Sequence, residues 1–443
     1  MSAPRGDRGY NSRGMATTPI LNESVDAEQH PLVLSACAPL HARIAFVLET
    51  ARRLHQYGTS APRLESALDR LSTRLDLDVQ VWSSPTAIII SFADGGDRER
   101  VAETTRVIRL SPGDIDLRHL AEVNDIADKV IAGELDIAQG SHLLHTLGDR
   151  IGPRARAHEV LCYGLVSATL ATLMHGAWVD VASAGSIGLV VGLIADVAAR
   201  SQRMRLALEA LSGLAATVLA TLISVHIAPL TLKITVLASL IVLFPGMVLT
   251  TAVRELSTRH LVSGVARFAD AIATLIKLAF GTLVANQLCK VLGLVPPSAA
   301  PAPVPDWTAW VALVFGAYGF AVLFRAARRD FPLVMSAAVL GYAITYFGGR
   351  EFGPEFGVFL AGAIMGALSN LYARISDRPG ALVREPGIIL LVPGSLGFLT
   401  ISAIVGSDVF LGINTAVSLF AILVSLVAGL LFGDLIVSPR RVL

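Results

Sequence analysis

Leu240-Ile241-Val242-Leu243-Phe244-Pro245-Gly246-Met247 and Ile388-Ile389-Leu390-Leu391-Val392-Pro393-Gly394-Ser395 decide how this chain is read. Each is an apolar run interrupted by Pro-Gly. A proline inside a membrane helix removes one N–H and frees the carbonyl four residues earlier, and a neighbouring glycine loosens the backbone further. Pro245-Gly246 and Pro393-Gly394 are therefore expected breaks whose carbonyls can hold a polar solute, with a simple packing kink as the competing reading. The two pairs lie 148 residues apart. The same shift carries Gly264 onto Gly412 and Gly281 onto Gly429, and it carries Ala273, Leu275, Leu278 and Leu283 onto Ala421, Leu423, Leu426 and Leu431. An internal duplication follows, with polar positions that recur as well.

Working outward, 53% of the 443 residues are hydrophobic and 16% are charged, with a mean hydropathy of +0.62. A globular chain carries about a quarter charged residues, so most of this one belongs in lipid. Crossing a bilayer takes about 20 apolar residues, and the sequence predicts ten such spans: 157–175, 178–198, 206–228, 234–253, 266–289, 307–325, 332–349, 355–373, 387–406 and 409–436. Lys and Arg are retained on the cytoplasmic side. Alternate connections and the C-terminus hold 14 of them on one side, including Arg200, Arg254, Arg267, Arg325 and Arg384, and the other side holds 3, Lys233, Lys290 and Arg350. Both termini are thus expected in the cytoplasm. The predicted organisation is two five-span repeats, 156–295 and 307–443, joined by an extracytoplasmic Pro/Ala-rich linker at 296–306. An odd number of crossings per half makes the repeats inverted, the build of many secondary transporters.

Residues 1–155 differ in kind, with 21 acidic and 17 basic residues. Residues 1–30 read as a disordered tail without the apolar core of a secretory signal, and residues 31–155 as a small cytoplasmic α+β domain. Ile44, Val47, Leu48, Ala51 and Leu54 mark one helical stripe, and Leu64, Ala67, Leu68, Leu71 and Leu75 a second that starts near Ser60 and Pro62. Val79–Trp82 and Ala87–Phe92 read as a hairpin across Ser83-Ser84-Pro85, with Asp94-Gly95-Gly96-Asp97 as the next turn and Val107–Leu110 as a further strand. Leu117, Leu120, Asn124, Ala127 and Val130 mark a helix capped by Asp114 or Asp116, and Ile137, Leu144, Leu147 and Ile151 mark another. Ser83, Ser84, Thr86, Asp94, His119, His142 and His145 form no nucleophile elbow, phosphate loop or ligand pattern and read as solvated faces and turns. Cys37, Cys162 and Cys289 give neither a disulfide ladder nor a metal spacing. The absence of a basic run with aromatics argues against nucleic acid, and the absence of a Gly-rich loop ahead of a Lys argues against ATP. No cofactor or metal is expected.

A charge inside the bilayer costs at least about 2.5–3.5 kcal/mol, which singles out Asp270 and Lys277 in the fifth span. Two turns apart on one face, they suggest a gap for a small zwitterion; a snorkelling pair, or partners on other spans, is the competing reading. The 148-residue shift sets Ser418 opposite Asp270, Ser425 opposite Lys277 and Asp434 opposite Asn286. A polar seam between the fifth and tenth spans is expected, extended by Asn414, Thr415 and Ser395. Hydroxyls bonding back to their own helix are the alternative. Asp270, Asp196 and Glu209 are the expected proton carriers, and pairing with Arg200–Arg205 is the plainer account of the last two. Gly188, Gly192, Gly362 and Gly366 read as close helix contacts.

Taken together the chain resembles the threonine/serine exporter family. The resemblance rests on Gly58, Arg63 and Glu65; on Ser84-Pro85-Thr86; on Asp116-Leu117 and Leu120; and on Pro245-Gly246, Glu255-Leu256, Gly264 and Arg267, in order, and it covers the chain from about Pro31 onward. It implies export of threonine and serine across the cytoplasmic (inner) membrane, driven by the proton gradient. Related proteins split over two chains resemble dicarboxylate exporters, so a small carboxylate is the alternative substrate. A transporter rather than an enzyme is expected, and a membrane-tethered hydrolase acting through the soluble domain is the second reading. Expected partners are the small-molecule substrate, protons and the lipid bilayer, and the oligomeric state is open.

Overall fold

The computed structural model describes residues 38–94, 104–148, 152–297 and 301–439. The expected tail, Cys37, the turn beyond Asp94, Ile151 and the terminal Arg440-Arg441 lie outside them.

The N-terminal part begins with α1 (Leu40–Gln56) and α2 (Ala61–Arg74). The expected stripes face inward: Val47, Ala51, Leu64, Leu68, Leu71 and Leu75 are buried together with Phe46. Strands β1 (Leu77–Ser84), β2 (Ala87–Asp94) and β3 (Thr104–Arg109) form an antiparallel sheet in that order. Ser84 pairs with Ala87, so the reversal falls on Pro85-Thr86 rather than Ser83-Ser84-Pro85. The reason is local, because the Ser84 hydroxyl accepts the Ala87 N–H at 3.1 Å and fixes the turn one residue later. Ile88, Ile90 and Phe92 point into the core on alternate positions of β2. Helix α3 (Leu117–Ile131) is capped by Asp116, whose carboxylate accepts the His119 N–H at 3.0 Å. Helix α4 (Ile137–Thr146) starts with an Asp136/Gln139 capping box and stops one residue before Leu147.

The rest is helical: α5 (Pro153–Leu173), α6 (Trp178–Ala199), α7 (Gln202–His226), α8 (Leu232–Leu240), α9 (Gly246–Ser257), α10 (Leu261–Val291), α11 (Trp307–Leu323), α12 (Phe331–Phe352), α13 (Pro354–Ser376), α14 (Ala381–Ile389), α15 (Gly394–Val405) and α16 (Val409–Ile436). Among the described residues, six helices are long and apolar enough to cross a membrane, or up to eight if each of two bent pairs, α8–α9 and α14–α15, is one span. The other two expected crossings are weaker by these criteria. Helix α11 has 17 residues, and α5 opens with Arg154, Arg156 and Glu159 ahead of its apolar stretch.

Glycines let helix backbones touch. A methyl group on Gly281 would sit 2.1 Å from the Ala210 carbonyl oxygen, closing α10 on α7, and one on Gly429 would sit 2.2 Å from that of Phe359, closing α16 on α13. The Gly188, Gly192, Gly362 and Gly366 contacts are of the same kind, on Ser167, Tyr163, Leu426 and Leu430. One apolar cluster carries the N-terminal part into the membrane helices, joining Leu117 and Leu120 to Phe320, Phe324, Val334 and Leu382. The Leu117 N–H donates to the Phe324 carbonyl at 3.0 Å across that junction. Gly429→Ala is expected to destabilise the chain by about 1–3 kcal/mol through overpacking, read as a lower thermal midpoint in detergent. Gly152→Ala, where nothing lies within 4 Å, should leave the midpoint unchanged.

Candidate functional site

Both expected breaks are present, and they meet. In the first pair the chain passes from α8 through a 3-10 turn at Ile241–Leu243 to Pro245, which caps α9, and the arms bend by 60°. In the second, α14 gives way before Pro393, which caps α15, and the bend is 43°. The prolines share one conformation, φ −79° and ψ 40° at Pro245 against φ −84° and ψ 45° at Pro393. Each following glycine turns its N–H back two residues, Gly246 to the Phe244 carbonyl at 2.8 Å and Gly394 to that of Val392 at 2.9 Å. A methyl group on Gly246 would lie 3.4 Å from the Gly394 Cα, so the two breaks touch backbone to backbone. Phe244 and Phe398 stack beside them with centroids 5.1 Å apart.

Two cavities fall on opposite arms of the broken pairs. One, of about 90 Å³, is lined by Thr250, Thr251 and Arg254 of α9, by Arg384, Glu385 and Ile388 of α14, and by the segment Tyr57–Arg63 of the N-terminal part. It adjoins a larger space of about 600 Å³ with which it shares Arg63, Arg254 and Arg384. The other, of about 190 Å³, is lined by Lys233 and Val236 of α8 and by Phe398 and Ser402 of α15, with Thr217 and Asn286 contributed by α7 and α10. The Thr217 and Ser402 hydroxyls are buried without a hydrogen-bond partner among the described residues.

The first cavity is strongly charged. Arg254 donates to Asp434 at 2.9 Å, and Asp434 also accepts from Asn370 at 2.8 Å. Arg384 directs Nε and an Nη to Oε1 of Glu385 at 3.0 and 2.6 Å. Glu255 is fully buried. Its carboxylate accepts from the Ala61 N–H at 2.9 Å, the Ser263 hydroxyl at 2.7 Å and Arg267 Nε at 3.2 Å. The Ala61 N–H is one of the orphan donors at the start of α2, so a membrane helix supplies the cap that the Ser60 side chain leaves unmade. Arg63 has neither a hydrogen bond nor an ion pair among the described residues. Burial first, and the like charge of Arg384 second, push its guanidinium down to about 9. A guanidinium stays protonated at neutral pH, so the depression expresses a buried positive charge that the nearby Glu385 and Asp434 carboxylates offset only in part.

The structure distributes the residues singled out in the sequence unevenly. Pro245, Gly246, Pro393 and Gly394 are buried at the junction, and Ser395 is partly buried beside it. Lys277 does not lean toward Asp270. Its ammonium pairs with Glu209 of α7 at 2.8 Å, and Asp270 is exposed without a partner among the described residues. Glu209 thus finds a lysine rather than the Arg200–Arg205 connection, because α7 and α10 cross where Gly213 and Gly281 admit contact. Asp196 pairs with Arg200. The fifth and tenth spans do not share the expected seam: α10 packs on α7, α9 and α15, whereas α16 packs on α13, α15 and α9. Asn414 and Ser418 are exposed and Ser425 is partly buried. Thr415 accepts from the Thr400 hydroxyl at 3.1 Å and bonds back to Leu411 at 2.8 Å. Sequence reasoning counted Arg254 and Arg384 as inside charges and passed over Glu385 and Asp434 as site residues, since no spacing links residues from α2, α9, α14 and α16. The one available signal was the position of Arg254, Arg384 and Glu385 at the ends of the two interrupted spans.

A helical, polytopic membrane protein with two touching broken helices beside a charged cavity is the class that fold and site define. The chain belongs to the threonine/serine exporter family: residues 45–289 match the family described as "Putative threonine/serine exporter" and residues 309–436 match "Threonine/Serine exporter, ThrE". Among curated proteins it is similar to pheromone-regulated membrane protein 10 of Zygosaccharomyces rouxii, 26% identical over 81% of this chain and 37% of that protein. The protein of that name from Eremothecium gossypii is 25% identical over 89% and 53%, and the one from Saccharomyces cerevisiae 25% over 81% and 47%. The chain therefore spans about a third to a half of the length of these relatives. No solved structure matches.

The Lys277–Glu209 pair generates a direct test. Lys277→Ala strands a carboxylate and is expected to lower the thermal midpoint, and the double exchange Lys277→Glu with Glu209→Lys should recover most of the loss.

Proposed function

We propose that this protein is a secondary exporter that moves threonine and serine out of the cytoplasm by alternating access, coupled to the proton gradient. The observation that carries the reading is the contact between the two Pro-Gly breaks, with one cavity on the α9/α14 arms and another on the α8/α15 arms. A solute site at the meeting point of discontinuous helices, opened alternately on either side, is how inverted-repeat transporters work.

The 148-residue correspondence supports two related halves of five crossings each, ten in all. Helices α9 and α15 begin at Gly246 and Gly394, α10 and α16 begin at Leu261 and Val409, and the left-handed residues Arg259 and Ser407 fall at the same shift. Inversion of the halves and cytoplasmic termini are supported by the charge asymmetry, with Arg254, Arg267, Arg325 and Arg384 at the end of the bundle where the N-terminal part sits, and an inner-membrane location is what the family implies. On this reading the first cavity opens inward and the second, with Lys233, outward. The solute meets the junction through the carbonyls near Pro245-Gly246 and Pro393-Gly394 and through Ser395. Of the carboxylates suited to carry the proton, Asp196 is held by Arg200 and Glu209 by Lys277, which leaves Asp270 as the one of the three without a partner among the described residues. The chain transports rather than catalyses.

Reconstituted into proteoliposomes, the protein should move labelled threonine and serine under an imposed pH gradient, and a protonophore should abolish accumulation. Movement of succinate alone reassigns the substrate to dicarboxylates, and failure of all three solutes to move sinks the assignment. Pro245→Ala and Pro393→Ala should each lower the initial rate at least tenfold, because a continuous helix removes the freed carbonyls.

A further inference from the structure

The first cavity contains more than the membrane helices bring to it. Arg254, Arg267 and Arg384 each have a carboxylate, Asp434, Glu255 and Glu385 in turn. Arg63 alone among the four arginines lining the cavity has none, so the enclosure carries one uncompensated positive charge, supplied by the N-terminal part. Both bonds from Arg384 converge on Oε1 of Glu385, and Oε2 of that carboxylate has no hydrogen bond among the described residues. An unspent guanidinium and an unspent carboxylate oxygen therefore line the same small space, beside the apolar Met247 and Ile388.

The segment that presents Arg63 is firmly placed. Gly58 turns at φ +81°, and a methyl group there would lie 3.0 Å from the Asp114 carbonyl oxygen, so this turn needs glycine. Three residues on, the Ala61 N–H is capped by buried Glu255 of α9. His260 adds a second tie at 3.2 Å to Glu65 of α2. The start of α2 therefore sits against α9 and covers the cavity between the α9 and α14 arms. Its removal would open that cavity into the larger space sharing Arg63, Arg254 and Arg384.

We propose that Arg63 binds the carboxylate of the transported amino acid, with Glu385 receiving its ammonium, and that the Gly58–Arg63 segment is the cytoplasmic gate closing over the bound solute. This rests on the exporter reading and specifies its site: a small zwitterion with a single carboxylate. One unpaired cation matches one carboxylate, and a dicarboxylate would leave its second charge facing Glu385. Planar, bidentate recognition of a carboxylate is what a guanidinium does better than an ammonium. The N-terminal part is then a working half of the binding site rather than an accessory.

The test uses the full chain purified in detergent, titrated calorimetrically with threonine and with threoninol, which keeps the ammonium and hydroxyl and lacks the carboxylate. Threonine should bind and threoninol should bind much more weakly. A hydrogen bond to a charged group is worth about 10- to 100-fold in affinity, so Arg63→Gln should weaken threonine by that factor and leave threoninol unchanged. Arg63→Lys keeps the charge, protects against a folding artefact, and should fall between. In proteoliposomes the same variants should raise KM for threonine while kcat changes less. Equal affinity of the wild-type chain for both ligands, absence of threonine binding, or an Arg63→Gln variant with wild-type affinity overturns the proposal. Threonine binding that depends on Arg63 in a protein that transports nothing overturns the exporter reading and leaves the site standing.

Discussion

The buried carboxylate of Glu255 is the interaction on which the arrangement depends. An ionised carboxylate without compensation is too costly to bury, and here three donors from three places satisfy it: the first N–H of α2, the Ser263 hydroxyl and Arg267. The donors come from two elements, α2 and α10. The α2 N–H ties the N-terminal part to α9, and Ser263 and Arg267 tie α9 to α10. The partial positive charge of a helix start meets a full negative one, so α2 is oriented as well as held. Because Glu255 lies two turns beyond Gly246, the same contact sets the position of the first break relative to the cavity that Arg63 enters.

The second constraint is the satisfaction of backbone groups in an apolar environment. Continuous helices meet it internally, and an interrupted one meets it only where protein or an enclosed polar space takes the place of lipid. The two Pro-Gly breaks satisfy it by facing each other, with Gly246 and Gly394 in contact and each glycine N–H turned to a nearby carbonyl. That geometry explains why both positions hold glycine: a side chain on either would push the breaks apart and expose them. It also puts the two bends side by side, with cavities on both arms.

Charge is concentrated at one end of the helices, and the structure divides it into two uses. Lys277–Glu209 joins α10 to α7 and holds their crossing, and Asp196–Arg200 neutralises the end of α6. The set formed by Arg63, Arg254, Arg384, Glu385 and Asp434 surrounds an open volume and is left one negative charge short. The first kind of arrangement cancels charge locally; the second leaves it facing an enclosed space.

The apolar helical segments, the change to mixed helix and strand in the N-terminal part and both interruptions were legible in the amino-acid order, because hydropathy and proline act locally and leave a periodic or positional trace. The strands of the N-terminal part and the Asp116 cap were legible for the same reason, apart from a one-residue shift of the hairpin turn decided by the Ser84 hydroxyl and a third strand that runs Thr104–Arg109 rather than Val107–Leu110, in register with β2. Pairing was not legible. Spacing on one helix placed Lys277 with Asp270, yet a seven-residue separation leaves two side chains a turn too far apart, and the crossing of α7 over α10 brought Glu209 closer. Arg63, Glu255 and Glu385 belong to helices far apart in the chain, and their convergence depends on how the N-terminal part docks onto α9 and α14. Electrostatic compensation is a property of three-dimensional proximity, so only the tertiary structure decided which charges pair and which one is left without a partner among the described residues.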